Sequence, residues 1–451
     1  MMFQRKIYDA LLEWKRLSHG TTAIMLEGAR RVGKSTIVEA FAKNEYDDYL
    51  LLDFGKESQE IRQNFEENIG NPDVFFRNLF LLKNKTRMPE RSLIIFDEVQ
   101  RFPLARQAIK YLVADGRYDY IETGSLISIK KNVKDIIIPS EEQKLKMYPM
   151  DFEEFLWARG DHTTAEEIRN AFSERRPFGD SIHRKITRTF REYMAVGGMP
   201  QAVARFSDGG TYEEIDYVKR TILDLYEDDL RKSEEGGSDK TVAVFRALPA
   251  NLSSHNRQFK LASVDKNARF GSYLGDIQFI DSAMIGNLCR NVSKPEVTLD
   301  LYAEPDTFKL YLCDTGLLLT QVMRAAQTAG DDLYKALLFG RLGVDQGMII
   351  ENMIAQMLVC NGHGLYFHSL RHQPAGSAKE KSYEVDFLLV RGKRLCPLEV
   401  KSSGYQSHKS FDFFKEKYRQ LKMPERFILY TKDLRREDDI LYLPLYMTMC
   451  L

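Results

Sequence analysis

The chain has 451 residues, of which 43% are hydrophobic and 29% charged, and Lys plus Arg and Asp plus Glu balance at 65 each. These values exclude a disordered chain and a polycation, so any nucleic-acid surface has to be a local patch. No apolar run approaches the ~20 residues needed to cross a bilayer, and Cys289, Cys313, Cys360, Cys396 and Cys450 are odd in number with no CxxC, which leaves a cytoplasmic protein of two to four domains without a membrane partner as the expectation.

Residues 1–20 mix charges into a helical pattern and lack a secretory apolar stretch. Ala23 to Leu26 reads as a buried strand. Gly28, Ala29, Arg30, Arg31, Val32, Gly33, Lys34 and Ser35 then match G-x-x-x-x-G-K-[ST]. A helical pattern follows from Thr36, with Ile37, Val38, Ala40 and Phe41 on its apolar side. Strand, loop and helix in that order are the context of a phosphate-binding loop. Gly28 and Gly33 permit backbone angles at which successive N–H groups point at phosphate oxygens. The helix start adds the positive end of its dipole. In such a loop Lys34 reaches the β- and γ-phosphates and the Ser35 hydroxyl ligates Mg²⁺. The alternative is a chance Gly-rich turn.

Leu93 to Phe96 suits a parallel strand buried on both faces. Asp97 at its carboxyl end can hold the magnesium water shell, and Glu98 can polarise the attacking water. The competing reading is a strand end meeting solvent. Tyr118 to Glu122 reads as the next strand, ending in Thr123-Gly124-Ser125. A hydroxyl there, from Thr123 or Ser125, would lie between the two loops and sense the γ-phosphate or hold the water; a plain Gly turn is the alternative. Arg30, Arg31, Arg101 and Arg106 are candidate phosphate or inter-subunit contacts, and nothing in the sequence selects one of them.

GARRVGKST, IIFDEVQRFP and ETGS, with MYPMDFEEFLWARG after them, resemble the AAA-family ATPases of bacteria and archaea that carry a C-terminal domain of unknown function. The likeness continues through YMAVGGMPQAV, ILDLYEDDLRK, FKLYLCDTGLL, EVDFLL and PLEVKSS in the family's order. The resemblance implies an α/β chain with four parts. An AAA-type P-loop core with a parallel sheet and flanking helices spans 1–158, and a helical lid spans 159–235. A winged-helix-like module spans 236–325, and a small restriction-endonuclease-like domain spans 326–451. It also implies ATP as the nucleotide, with Mg²⁺, and a homo-oligomer as a candidate assembly. A monomer or dimer stays open, because no arginine is marked out for a neighbour's γ-phosphate.

Residues 125–147 are polar and Lys-rich, as in an exposed segment. Residues 151–205 read as helices interrupted by Gly197-Gly198-Met199-Pro200, which is either a lid element or a turn that lets helices pack at an angle. Glu234 to Ser238 is the best internal linker. Residues 240–318 mix short helices with strand-like segments, Val297 to Tyr302 and Lys309 to Cys313, as a winged helix does. Lys266, Arg269, Arg290 and Lys294 are its candidate DNA contacts, against a packing or dimerising role. Asp314-Thr315-Gly316 is expected to cap a helix.

Glu351 opens a helix with Met353, Ile354, Met357 and Leu358 on its apolar side. Asp386 lies in the strand-like EVDFLLV, and after a turn at Gly392 come Glu399 and Lys401, which share one strand face. This resembles the D…E-x-K pattern of restriction-endonuclease-like nucleases. Carboxylates would hold Mg²⁺ and Lys401 would steer a hydroxide at a DNA phosphodiester. The alternative is a degenerate relic or an ion-pair cluster. His363, His368 and His372 have no metal spacing and read as surface histidines. A basic run follows, from Lys415 to Arg436, with Lys417, Arg419, Lys422, Arg426, Lys432 and Arg435 inside it. It is either a nucleic-acid contact or a solvated helix face.

Overall fold

The computed structural model describes residues 2–125, 139–233, 239–254, 257–266, 269–326, 330–338, 346–372, 381–402, 408–421, 423 and 425–451. They form two compact units. One comprises Met1–Tyr148, Tyr226–Ser238 and Ser282–Met284; the other comprises Pro149–Leu225, Asp239–Asp281 and Ile285–Leu451.

The first unit runs α1 (Ile7–Ser18), β1 (Ala23–Glu27), α2 (Lys34–Glu45), β2 (Tyr49–Asp53), α3 (Gln59–Asn68), α4 (Pro72–Leu82), β3 (Leu93–Asp97), α5 (Pro103–Asp115), β4 (Asp119–Thr123) and β5 (Glu142–Lys146). Its five strands are parallel in the order β2-β3-β4-β1-β5. Parallel neighbours require helical crossovers, and covering helices bury both sheet faces, which is why β1 and most of β3 are apolar at successive positions. One face of the sheet, through Met25, Phe96 and Tyr120, packs against Phe54, Phe65 and Phe75. The strand read from Tyr118 to Glu122 becomes β4, the middle of the sheet. That position sets Thr123 between the loop after β1 and the tip of β3.

β5 was not expected. Its sequence, EQKLK, is half-exposed at an edge, and it pairs with β1 in the register Ala23↔Glu142. An edge strand tolerates the lysines that made the segment read as solvated. The rest of that Lys-rich stretch, 126–138, lies outside the described residues, as does the linker expected at 234–238.

The second unit begins with α6 (Phe152–Ala158), started by an Asp151–Glu154 capping box. There follow α7 (Thr164–Glu174), α8 (Asp180–Val196), α9 (Pro200–Ser207) and α10 (Tyr212–Ser233), the last grouping with the first unit from Tyr226 onward. Next are α11 (Lys240–Arg246), α12 (Leu248–Leu252), α13 (Leu274–Ser282), β6 (Gly286–Val292), β7 (Ala303–Leu312), α14 (Thr315–Ala326), α15 (Gly330–Leu338) and α16 (Gln346–Cys360). The chain ends with β8 (Leu365–His372), β9 (Lys381–Val385), β10 (Phe387–Arg391), β11 (Arg394–Val400), α17 (Lys409–Lys417), β12 (Arg426–Tyr430), β13 (Arg435–Glu437) and β14 (Ile440–Pro444).

Two sheets result, β7-β6-β8-β9 and β10-β11-β12-β14-β13. The strand expected from Val297 to Tyr302 is instead a single 3-10 turn, Leu299–Tyr302, and the strand starts at Ala303. The β6–β7 hairpin does not close on itself as a free wing. β6 pairs in parallel with β8, at Cys289↔Leu365, so one sheet runs across the boundary expected at 325/326.

A buried polar knot organises this unit. Gly197 has φ +84°, and a Cβ on it would stand 2.2 Å from an Asp314 oxygen; a Cβ on Gly198 would stand 2.1 Å from the Met150 carbonyl. Asp314 is fully buried. It accepts from the Gly198 N–H at 2.5 Å and, as a helix cap, from the Leu317 N–H at 2.9 Å. The Lys219 ammonium, also fully buried, lies near enough to stabilise the carboxylate. The glycine pair therefore makes a close helix contact, and its described contacts are those the packing reading requires. Asp314→Ala is expected to cost the unit about 3–5 kcal/mol, as for other broken buried charge clusters. Gly160→Ala, at φ +77° with nothing within 4 Å, is expected to cost only about 1 kcal/mol. Urea denaturation followed by circular dichroism distinguishes the two.

Candidate functional site

The loop between β1 and α2 forms a cup at the carboxyl edge of the parallel sheet, where open α/β sheets bind ligands. Gly33 at φ +101° and Arg31 at φ +69° hold left-handed backbone there. Gly28 is required for a different reason: a Cβ would meet the Met147 carbonyl at 2.4 Å. The Lys34 ammonium folds back and donates to the carbonyls of Gly28 and Ala29, each at 2.9 Å. Burial pulls its pKa down to about 8, against the opposing pull of Glu98 and Asp97. Val32 is buried, whereas Ser35 and Thr36 are exposed at the head of α2.

Asp97 ties the strand tips together. Ser35 Oγ donates to Asp97 Oδ1 at 2.9 Å, and Thr123 Oγ1 donates to the same oxygen. A hydroxyl beside a carboxylate is a hard-oxygen donor pair, which suits Mg²⁺. Among the described residues no three His, Cys, Asp or Glu side chains form a metal site of their own. Magnesium here would therefore take its remaining ligands from phosphate and water, as it does in nucleotide sites. Glu98, with φ +57°, turns away from the strand; it accepts from Gln100 Nε2 at 2.6 Å and lies 3.9 Å from Arg101. The Ser125 hydroxyl is buried with no hydrogen-bond partner among the described residues.

Three residues that the sequence did not assign to the site fix the loop. Arg5, 6% exposed, donates to the Val32 carbonyl at 2.9 Å and to the Tyr148 carbonyl at 2.7 Å. Tyr226 donates its hydroxyl to the Arg30 carbonyl at 2.9 Å, and Asp229 accepts from Arg30 Nη1 at 2.8 Å. The segment Ile222 to Lys232 carried the family likeness but no chemical signature; Arg5 carried no signal at all. Among the other candidate arginines, Arg31 and Arg101 are exposed. Arg106 is buried and forked onto Glu142 by two 2.7 Å bonds, which removes it as a phosphate contact.

Glu122, one residue before Thr123, is fully buried, and among the described residues neither of its oxygens has a hydrogen-bond partner of good geometry. Burial, and then the neighbouring Glu142 carboxylate, push its pKa well above the usual carboxylate range.

In the second unit the structure brings Asp386, Glu399 and Lys401 together. Asp386 lies in the break between β9 and β10, not within a strand, and accepts from the Val400 N–H at 2.7 Å. Lys401 is ion-paired with Glu399. Burial, then Asp386, push the Glu399 carboxyl up to about 7 despite Lys401. Glu351 makes its described bonds with other partners. It is fully buried on α16, paired with Arg257 and with Lys309 at 3.0 Å, and accepts from the Tyr311 hydroxyl at 2.5 Å. Lys309 in turn reaches Glu384 at 2.7 Å.

Other candidates are spent on structure. His368 is buried rather than on the surface, bonded to the Val292 carbonyl at 2.6 Å and the Tyr418 hydroxyl at 2.9 Å. In the basic run, Lys415 pairs with Asp439, Arg426 with Asp412 and Asp439, and Arg435 lies 4.0 Å over the Tyr442 ring. Lys422 lies outside the described residues. Lys294 pairs with Glu296.

A pH test follows from Glu122. Its folded-state pKa lies above the unfolded one, so its favourable contribution is present at low pH. That contribution is lost as pH rises through the folded value. Glu122→Gln keeps the shape without the charge. It is expected to raise the thermal midpoint at pH 8 and to make no difference near pH 4.5, read by scanning calorimetry across that range.

Comparison with protein families matches residues 20–156 to an AAA domain, residues 187–328 to a domain of unknown function (DUF8612) and residues 346–447 to another (DUF4143). No curated protein matches the chain. Among solved structures, a Walker-type ATPase of Pyrococcus abyssi is 16% identical with a TM-score of 0.42, over 71% of this chain and 96% of that one. Drosophila ORC bound to DNA is 13% identical with a TM-score of 0.28, over 71% and 95%. A Vibrio cholerae protein is 9% identical with a TM-score of 0.18, over 95% of both. Among the described residues no helix is long and apolar enough to cross a membrane. The chain thus carries an AAA domain with the parallel-sheet P-loop fold, followed by two domains of unknown function.

Proposed function

We propose that the first unit binds ATP with magnesium and hydrolyses it, and that nucleotide state repositions the nuclease-like C-terminal domain. The supporting observation is the meeting of Lys34, Ser35, Asp97 and Thr123 at one sheet edge. Backbone N–H groups of residues 28–36 would cradle the phosphates. Lys34 would exchange its two loop carbonyls for phosphate oxygens, and Ser35 and Asp97 would hold the metal. Magnesium, when bound, supplies neutralisation of the phosphate charge. Glu98 would accept the proton of the water that attacks the γ-phosphorus, with ADP as the leaving group, while Thr123 and Ser125 orient that water.

Lys34→Ala is expected to abolish MgATP binding in a calorimetric titration. Glu98→Gln is expected to keep the affinity and lower turnover at least ~100-fold, the scale of a lost general base. Unchanged turnover would remove Glu98 from that role. The lowered Lys34 pKa adds a pH signature. Phosphate oxygens favour the ammonium form, so nucleotide binding above about pH 8 takes up a proton. Affinity is expected to fall with rising pH there, approaching about tenfold per unit, and buffers of different ionisation enthalpy would reveal the uptake.

For the C-terminal domain a second reading, a nucleotide-dependent interaction scaffold on a degenerate nuclease fold, is favoured by one observation: Arg257 and Lys309 neutralise Glu351. DNA is the proposed partner under the first reading. Duplex DNA with Mn²⁺ should be cut by the wild type and at least ~100-fold more slowly by Lys401→Ala. No cleavage by either protein under any condition, with an ATPase rate indifferent to DNA, would leave the scaffold.

A further inference from the structure

The cup contains more cationic chemistry than the motif accounts for. Arg30 sits in its middle, and its guanidinium is engaged on one side only: Nη1 meets Asp229 Oδ1 at 2.8 Å and Oδ2 at 2.9 Å. Its Nε and Nη2 have no partner among the described residues, and the side chain remains 37% exposed while Asp229 is 10% exposed. The backbone of the same residue is pinned as well, because Tyr226 donates to its carbonyl at 2.9 Å. Both restraints come from one turn of α10, outside the loop. The arginine charge also lies close enough to the Lys34 ammonium to disfavour its charged form slightly.

A guanidinium is a planar fork that binds a phosphate through paired donors, and its affinity depends on how few rotamers it has to lose. An acid that holds one edge leaves the other edge oriented and unspent. We propose that Arg30 binds the terminal phosphate of the nucleotide and that Asp229, with Tyr226, is its positioning residue. This rests on the ATP-binding reading and adds to it a means of telling triphosphate from diphosphate. A carboxylate that competed with the phosphate would take both edges of the fork. Asp229 takes one, so its removal should weaken triphosphate binding and not strengthen it.

The test is a calorimetric titration of the full chain with MgATP and with MgADP. Arg30→Ala is expected to weaken MgATP at least ~10-fold more than MgADP, which is about 1.4 kcal/mol of selectivity. Asp229→Asn and Asp229→Ala are expected to lose ~3–10-fold of the same selectivity, and Asp229→Glu to restore most of it. In the Arg30→Ala background, Asp229→Ala should change nothing further, because the two residues act as one unit. An unchanged ATP-to-ADP ratio in Arg30→Ala overturns the proposal. So does tighter MgATP binding in Asp229→Ala, or an equal loss for both nucleotides that persists without Arg30, since that would mark a purely architectural ion pair. If the wild type binds neither nucleotide, the ATP-binding reading itself fails, a result distinct from binding without discrimination.

Discussion

The Asp97 carboxylate accepts hydroxyls from two sides, Ser35 at the head of α2 and Thr123 at the end of β4, and so joins three chain segments at one oxygen. The parallel order of the sheet makes this meeting possible. β4 lies between β1 and β3, so the loop that follows β1 and the acidic tip of β3 face each other across one strand. The left-handed backbone of the non-glycine residues Arg31 and Glu98 is concentrated around the same point, where the buried apolar strands behind it can hold unfavourable angles in place.

The supports of the cup differ in kind from its lining. The lining consists of backbone and small side chains, which any nucleotide loop needs. The supports are long polar side chains reaching in from elsewhere: Arg5 from the N-terminal end, Tyr226 and Asp229 from α10. Each satisfies a loop carbonyl or guanidinium that would otherwise depend on water. Behind the sheet, the forked Arg106–Glu142 pair lets an edge strand enter an apolar layer, at the cost of a neighbouring Glu122 that cannot easily ionise.

Much of this was legible in the sequence where chemistry and backbone coincide. The loop required glycines at fixed places, β3 required an apolar run, and Asp314 required a helix to cap; each left a local pattern. β5 left none, because an edge strand rich in lysine looks like solvent-facing coil. Asp386 was read inside a strand because its flanks are apolar on both sides, and only the pairing pattern reveals the break. Glu351 was assigned to a metal group from its place in the family pattern. Its neutralisation depends on Arg257 and Lys309, which are 94 and 42 residues away in the chain and cannot be matched to it by spacing. The same limit hid Arg5 and Asp229: long-range partners of a recognisable motif carry no motif of their own.

Helix α16 is buried along nearly its whole length, from Met348 to Leu358, polar residues included. Asn352 bonds both the N–H and the carbonyl of Leu312, and Gln356 accepts from Thr315. These partners precede residue 328, while the helix starts at 346. A fragment trimmed to 346–447, the span of its family match, would thus present amides and a carboxylate cut for neighbours left on the discarded piece. It would also expose a bare flank of β8 where β6 had been. Anyone dissecting this protein for expression should keep residues 149 to 451 as a single piece, because Arg257, Lys219 and the Gly197–Gly198 turn also serve the partners of this helix from earlier in the chain.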